Sequence, residues 1–366
     1  CAIIGWILLL PYYFYVLSFI DPLTIIKRIH LSLMHELQDT AAGKYPMKIA
    51  QYRVNQRIIN LGSMLQRSVD RADRDVALDA IRAHTLDLAR VRKIKPRLSP
   101  DFFQVNSGLL VGLSSDATEI LSREHTWVEY RIASQLVVAF KIALNKMPDG
   151  VSAFVHAIKT AAHEEAMLRN DEVYGLLVRV FNTFTREAIK QKENAPVYHV
   201  IYNYKTLIRR LLIDRPELVP ALVQHLRYYA EFARTQGMGF IYELVSYELA
   251  ELAEIAYERN AEAAIVLLDA VLEFEGVERS AGLVKSRVIL AGYFLERGMQ
   301  GEFAAVQESL CGVPRPTLEA ARIGILTTVD PVFWEMTDRG TNFDYVGETR
   351  RSHAHDIFGR LLRAST

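Results

Sequence analysis

Cysteine is almost missing from this sequence: Cys1 and Cys311 are the only two in 366 residues. Two thiols so far apart offer no disulfide framework and no zinc-binding spacing. Net charge is missing as well, since 43 basic residues balance 43 acidic ones. Nucleic-acid binders draw affinity from a basic surface that neutralises phosphates, so this balance excludes that class. There are no Gly/Ser-rich linkers and no low-complexity tracts, and half of the residues are hydrophobic, which excludes a disordered tail. Alternating strand-like runs are absent, so the fold class is all-α. A Gly-rich phosphate loop, a nucleophile elbow, an HExxH and a paired CxxC are absent too. The chain is therefore expected to be non-enzymatic and to need neither cofactor nor metal.

The first stretch with a strong signal is 1–20 (CAIIGWILLLPYYFYVLSFI), which carries no formal charge. A hydrocarbon core needs about 20 apolar residues in a helix, and this run meets that length. Tyr12, Tyr13 and Tyr15 crowd its second half, where amphipathic rings favour the headgroup level. It has no basic leader and no small-residue cleavage site, so a transmembrane helix is expected and a signal peptide is not. The chain does not open on Met, so the start is read as that of a fragment, which leaves room for further spans upstream. After Asp21-Pro22 bases outnumber acids, with Lys27, Arg28, Lys44, Lys48, Arg53 and Arg57 against Asp21, Glu36 and Asp39. That excess places the body on the cytoplasmic side of an inner membrane of bacterial type. Residues 21–45 carry Ile25, Ile26, Ile29, Leu33 and Leu37 at helical spacing and are expected to form a juxtamembrane helix.

The remainder shows apolar residues at three- and four-residue spacing, broken at recurring polar junctions. These fall at Asp73, near Ser122, at Asn170, Asp214 and Asn260, and near Gly298. The gaps of about 38–49 residues are close to the 40–47 of two-helix solenoid repeats. The expected body is thus a helical-hairpin, α-solenoid-like stack or an irregular helical bundle. Its expected divisions are a first hairpin over 46–95, a helical-repeat body over 96–312 and a C-terminal capping segment over 313–366. One long helix is expected over 100–121 and another over 239–258.

Two stretches carry candidate site residues. The first is 333–345 (FWEMTDRGTNFDY), where Phe333, Trp334, Phe343 and Tyr345 surround Glu335, Asp338, Arg339, Asn342 and Asp344. Aromatic rings mixed with paired charges suit a partner contact, and they equally suit a cap on the last helices. The second is the basic run 90–97 (RVRKIKPR), in which Arg90, Arg92, Lys93 and Lys95 are candidates for contact with anionic lipid. Cations at a helix C-terminus also complement the helix dipole without any ligand. His353 and His355 lie two apart and face different sides of a helix, so no metal site is expected there. Glu243, Glu248, Glu251 and Glu254 lack the Glu-x-x-His partners of a di-metal bundle. The expected function is a membrane-anchored cytoplasmic scaffold for protein–protein interaction, which leaves a homo-oligomer open. The alternative is the regulatory domain of a channel or transporter whose membrane part precedes residue 1.

Overall fold

Capping chemistry sets where the first described helix begins. The Asp21 carboxylate accepts from the Thr24 amide at 3.0 Å and from its hydroxyl at 2.6 Å, and Pro22 opens the first turn. These bonds hold the Asp21 carboxyl below its ordinary range, the Thr24 hydroxyl contributing most. In this computed structural model the described residues are 21–106, 108–259, 261–333 and 342–364, and they are helical with no strand. The expected membrane span, 1–20, lies outside them. No helix among the described residues is long and apolar enough to cross a membrane.

The chain divides into two compact units, Cys1–Phe184 and Thr185–Thr366. The first holds α1 (Pro22–Ala41), α2 (Met47–Asp70), α3 (Arg74–Ile94), α4 (Ser115–Arg123), α5 (Trp127–Lys146) and α6 (Val151–Met167). Helix α7 (Asp171–Gln191) carries the boundary between the units. Helix α1 packs on α2 and α3, α2 on α5, and α3 on α5 and α6. Ile26, Leu33 and Leu37, from the apolar stripe of the expected juxtamembrane helix, are buried in this core. Phe140 stacks on Phe184 with ring centroids 4.0 Å apart.

One sequence expectation is corrected here. Residues 100–121 are not one helix but a 3₁₀ turn at Pro100–Phe103, a loop, and α4. The loop residues explain the break. The Asn106 side chain accepts from the Leu109 amide at 3.2 Å, Gly112 sits at φ 94°, and Ser114 caps α4 through the Ala117 amide. The turn is held by distant donors: Gln51 Nε2 donates to the carbonyls of Phe102 (3.0 Å) and Gln104 (2.8 Å), and Trp127 Nε1 donates to Phe102 (3.0 Å).

The second unit holds α8 (Asn194–Asp214), α9 (Val219–Thr235), α10 (Gly239–Glu258), α11 (Ala264–Leu272), α12 (Ala281–Glu296), α13 (Gln300–Glu308), α14 (Arg315–Thr327) and α15 (Glu348–Ala364). Most helices adjacent in sequence pack on each other, and further contacts skip one helix: α8 packs on α10, α10 on α12, α12 on α14, and α9 on α11, while α15 returns to α12. Arg287, 2% exposed, ties successive hairpins together by donating to the carbonyls of Leu272, Phe274 and Ser309. The 239–258 expectation coincides with α10.

Junctions in both units share one geometry. An amide three residues past the helix end reaches back five residues, as in Asp73 to Ser68 (2.8 Å), Thr126 to Leu121 (2.9 Å), Asn170 to Glu165 (3.0 Å) and Met299 to Phe294 (2.9 Å). The residue just before that amide is left-handed: Ala72, His125, Arg169 and Gly298 all have positive φ. This closes the orphan carbonyls of each helix and turns the chain directly into the next.

Candidate partner-binding site

In the second unit, one face of α10 presents Phe240, Glu243 and Tyr247, three to four residues apart and therefore stacked along one side. They line a cavity of about 340 Å³ that Lys285 of α12 and the segment after α14 complete. The expected 333–345 stretch contributes Phe333, Asn342, Phe343 and Asp344 to its wall. Asp344 is its hinge of charge. One carboxylate oxygen accepts from the Tyr247 hydroxyl at 2.8 Å, and the other from Lys285 Nζ at 2.6 Å. Phe343 lies against the Tyr247 ring with centroids 5.6 Å apart. Tyr345 is exposed, and its amide donates to the Asn342 carbonyl. Trp334, Glu335, Asp338 and Arg339 lie outside the described residues.

The electrostatics of the wall follow from these pairings. Lys285 is matched by Asp344, while Glu243 accepts one hydrogen bond from Ser280 Oγ at 2.5 Å and carries the remaining negative charge. Four aromatic rings, Phe240, Tyr247, Phe333 and Phe343, line the same space. A cavity with two carboxylates, one ammonium and four rings favours a cation.

Phe240, Tyr247 and Lys285 were missed by motif reasoning, and Glu243 was weighed only as a metal carboxylate, because no linear pattern joins two helices. Gly282 and Gly324 were the available signal. A Cβ at Gly282 would stand 2.4 Å from the Glu243 carboxylate, and one at Gly324 would stand 3.0 Å from the Lys285 side chain. Glycine inside a helix costs about 0.5–1 kcal/mol relative to alanine, so two in adjoining helices mark a close approach.

In the first unit the basic run divides. Arg90 leaves it: its guanidinium donates to His30 Nε2 at 2.7 Å, so that His30 donates from Nδ1 to buried Asp87 at 2.5 Å. Burial is the leading effect on Asp87 and pushes its carboxyl up, against the opposing pull of His30. Arg92, Lys93 and Lys95 instead line a cavity of about 770 Å³. Arg92 bonds Glu165 at 2.5 Å and Lys95 bonds Glu129 at 2.8 Å, and both carboxylates are 2% exposed. No group of acids, histidines and cysteines suited to a metal occurs among the described residues.

Compared with models of known families, with curated proteins and with solved structures, the chain matches none.

Proposed function

We propose that this chain is a non-enzymatic helical-hairpin scaffold that binds a partner protein through the second-unit cavity, where it receives a lysine or arginine side chain. The observation that carries the proposal is the convergence of Glu243, Asp344 and four aromatic rings on one cavity of about 340 Å³. The one-helix-skipping contacts of α8 to α14 support a solenoid-like stack, an architecture that presents extended binding surfaces. We place the scaffold at the cytoplasmic face of a membrane, with 1–20 as its tether, on the length and apolarity of that stretch and the basic excess after it.

The test is binding of short peptides carrying a central Lys or Arg to the detergent-solubilised full chain, followed by fluorescence anisotropy. Binding is expected to be lost when the central residue becomes norleucine. It is expected to weaken at least tenfold in Glu243→Gln, a substitution that keeps the shape of the wall. Peptide affinity that ignores both changes refutes the cation site.

A further inference from the structure

The first-unit cavity has a composition that the partner-binding reading does not use. Its polar wall is made entirely of groups that can donate: Arg92, Lys93 and Lys95 from the end of α3 and its following turn, with His125 and Asn170 from two junctions. No carboxylate lines it. The acids bonded most closely to Arg92 and Lys95, Glu165 and Glu129, are buried behind them, the half-exposed Glu164 lies 3.9 Å from Arg92, and Asn170 Nδ2 donates to the second Glu165 oxygen at 2.7 Å, fixing that carboxylate in place. Glu129 Oε2, behind Lys95, has no hydrogen-bond partner among the described residues. Two cations are therefore oriented from behind while their remaining N–H groups stay available. An arginine offers five donors and a lysine three, and each of these uses only part of its set. Lys93 is exposed and has no acidic partner among the described residues.

The other wall is apolar. Phe103 is buried and stacks on His125 with centroids 4.5 Å apart and an interplanar angle of 16°. Leu98 is buried beside it, Pro96 and Pro100 shape the turn, and Leu168 closes the rim at 57% exposure. An apolar surface next to a wall of three cations with no lining carboxylate selects a ligand that is anionic at one end and apolar at the other. The volume of about 770 Å³ lies within the usual range of about 300–1,000 Å³ for small-molecule sites.

We propose that this cavity binds an anionic amphiphile, its phosphate or carboxylate held by Lys93 and the spare donors of Arg92 and Lys95, and its apolar part seated on Phe103, Leu98 and Leu168. A membrane lipid with an anionic headgroup and a soluble aromatic or alkyl phosphate share this chemistry. The proposal is independent of the cation site, which lies in the other unit.

The probe is 1-naphthyl phosphate, titrated by its fluorescence into the full chain in non-ionic detergent, with inorganic phosphate and 1-naphthol as half-ligands. Dioctanoyl phosphatidic acid and phosphatidylcholine vesicles doped with phosphatidic acid form the lipid arm. Saturable binding of the naphthyl ester or of the lipid is expected, at least tenfold tighter than either half-ligand. It should weaken at least tenfold in Lys93→Glu and in Leu168→Asp, both at exposed positions, and remain unchanged in Lys48→Glu outside the cavity. Preference for vesicles over the soluble ester assigns the ligand to a membrane; the reverse assigns it to solution. Absence of saturable binding in both arms, or binding that neither cavity variant weakens, overturns the proposal.

Discussion

At the scale of single residues, the polar groups buried without full compensation are the informative ones. His84 is 0% exposed, and neither ring nitrogen has a partner among the described residues. Burial, with His30 nearby, pushes its pKa down to about 3, so it is neutral at pH 7 and still bears two unsatisfied polar atoms. An unmet buried polar group costs about 1–3 kcal/mol. Replacing His84 with Leu, similar in volume and without polar atoms, is expected to raise stability by about 1–2 kcal/mol in urea unfolding at pH 7. A fall in the midpoint would mean that the imidazole holds a contact with water or a ligand. Lys205 presents the opposite case: desolvation lowers it, but Glu248 and Glu251 outweigh that and hold its pKa above the ordinary lysine range. Residue chemistry of this kind is invisible in a linear string, because burial is what gives it meaning.

At the scale of elements, the last helix docks through charge as well as packing. Arg350 of α15 binds both oxygens of Glu254 on α10, at 2.9 and 3.1 Å, and reaches Glu296 of α12 at 3.2 Å. Burial nevertheless dominates at Glu254 and pushes its pKa from 4.5 to about 7 against the pull of Arg350. Between those values the folded chain holds a proton that the unfolded chain has released, so this group's contribution to stability is full at low pH and declines as pH rises toward 7. The slope from one such group is at most about 1.4 kcal/mol per pH unit. The expected outcome is that wild type loses stability relative to Glu254→Gln as pH is raised through that window. A gap between the two that stays constant across it, measured by denaturant midpoints at fixed ionic strength, sinks the assignment. The bounds of α10 were legible from apolar spacing; its pairing with α15 was not, since Glu254 and Arg350 are 96 positions apart.

For the whole molecule, the balance of 43 bases and 43 acids has consequences that do not depend on the fold. Without a basic surplus there is no counterion release to drive binding to polyphosphates. The protein is expected not to shift duplex DNA of mixed sequence at micromolar concentration in about 0.15 M salt. A retarded band that vanishes with added salt would contradict this.

Helical class, the bounds of α10 and the position of junctions such as Asp73 and Asn170 were determined by the sequence alone, because they rest on local quantities: apolar spacing, polar turn residues, proline and glycine. The 100–121 stretch escaped for a local reason too, its apolar residues masking the Asn106, Gly112 and Ser114 breaks. Within 333–345 the aromatic and acidic residues were recognisable as a cluster, and the run 90–97 as a basic patch. Which of them meet a cavity was decided only in three dimensions. Packing turned Arg90 toward His30, set Arg92 and Lys95 on buried carboxylates, and brought Glu243 and Lys285 beside Asp344. Those placements depend on helices brought together from distant parts of the chain, where the energy of a contact comes from desolvation that no neighbour in sequence supplies.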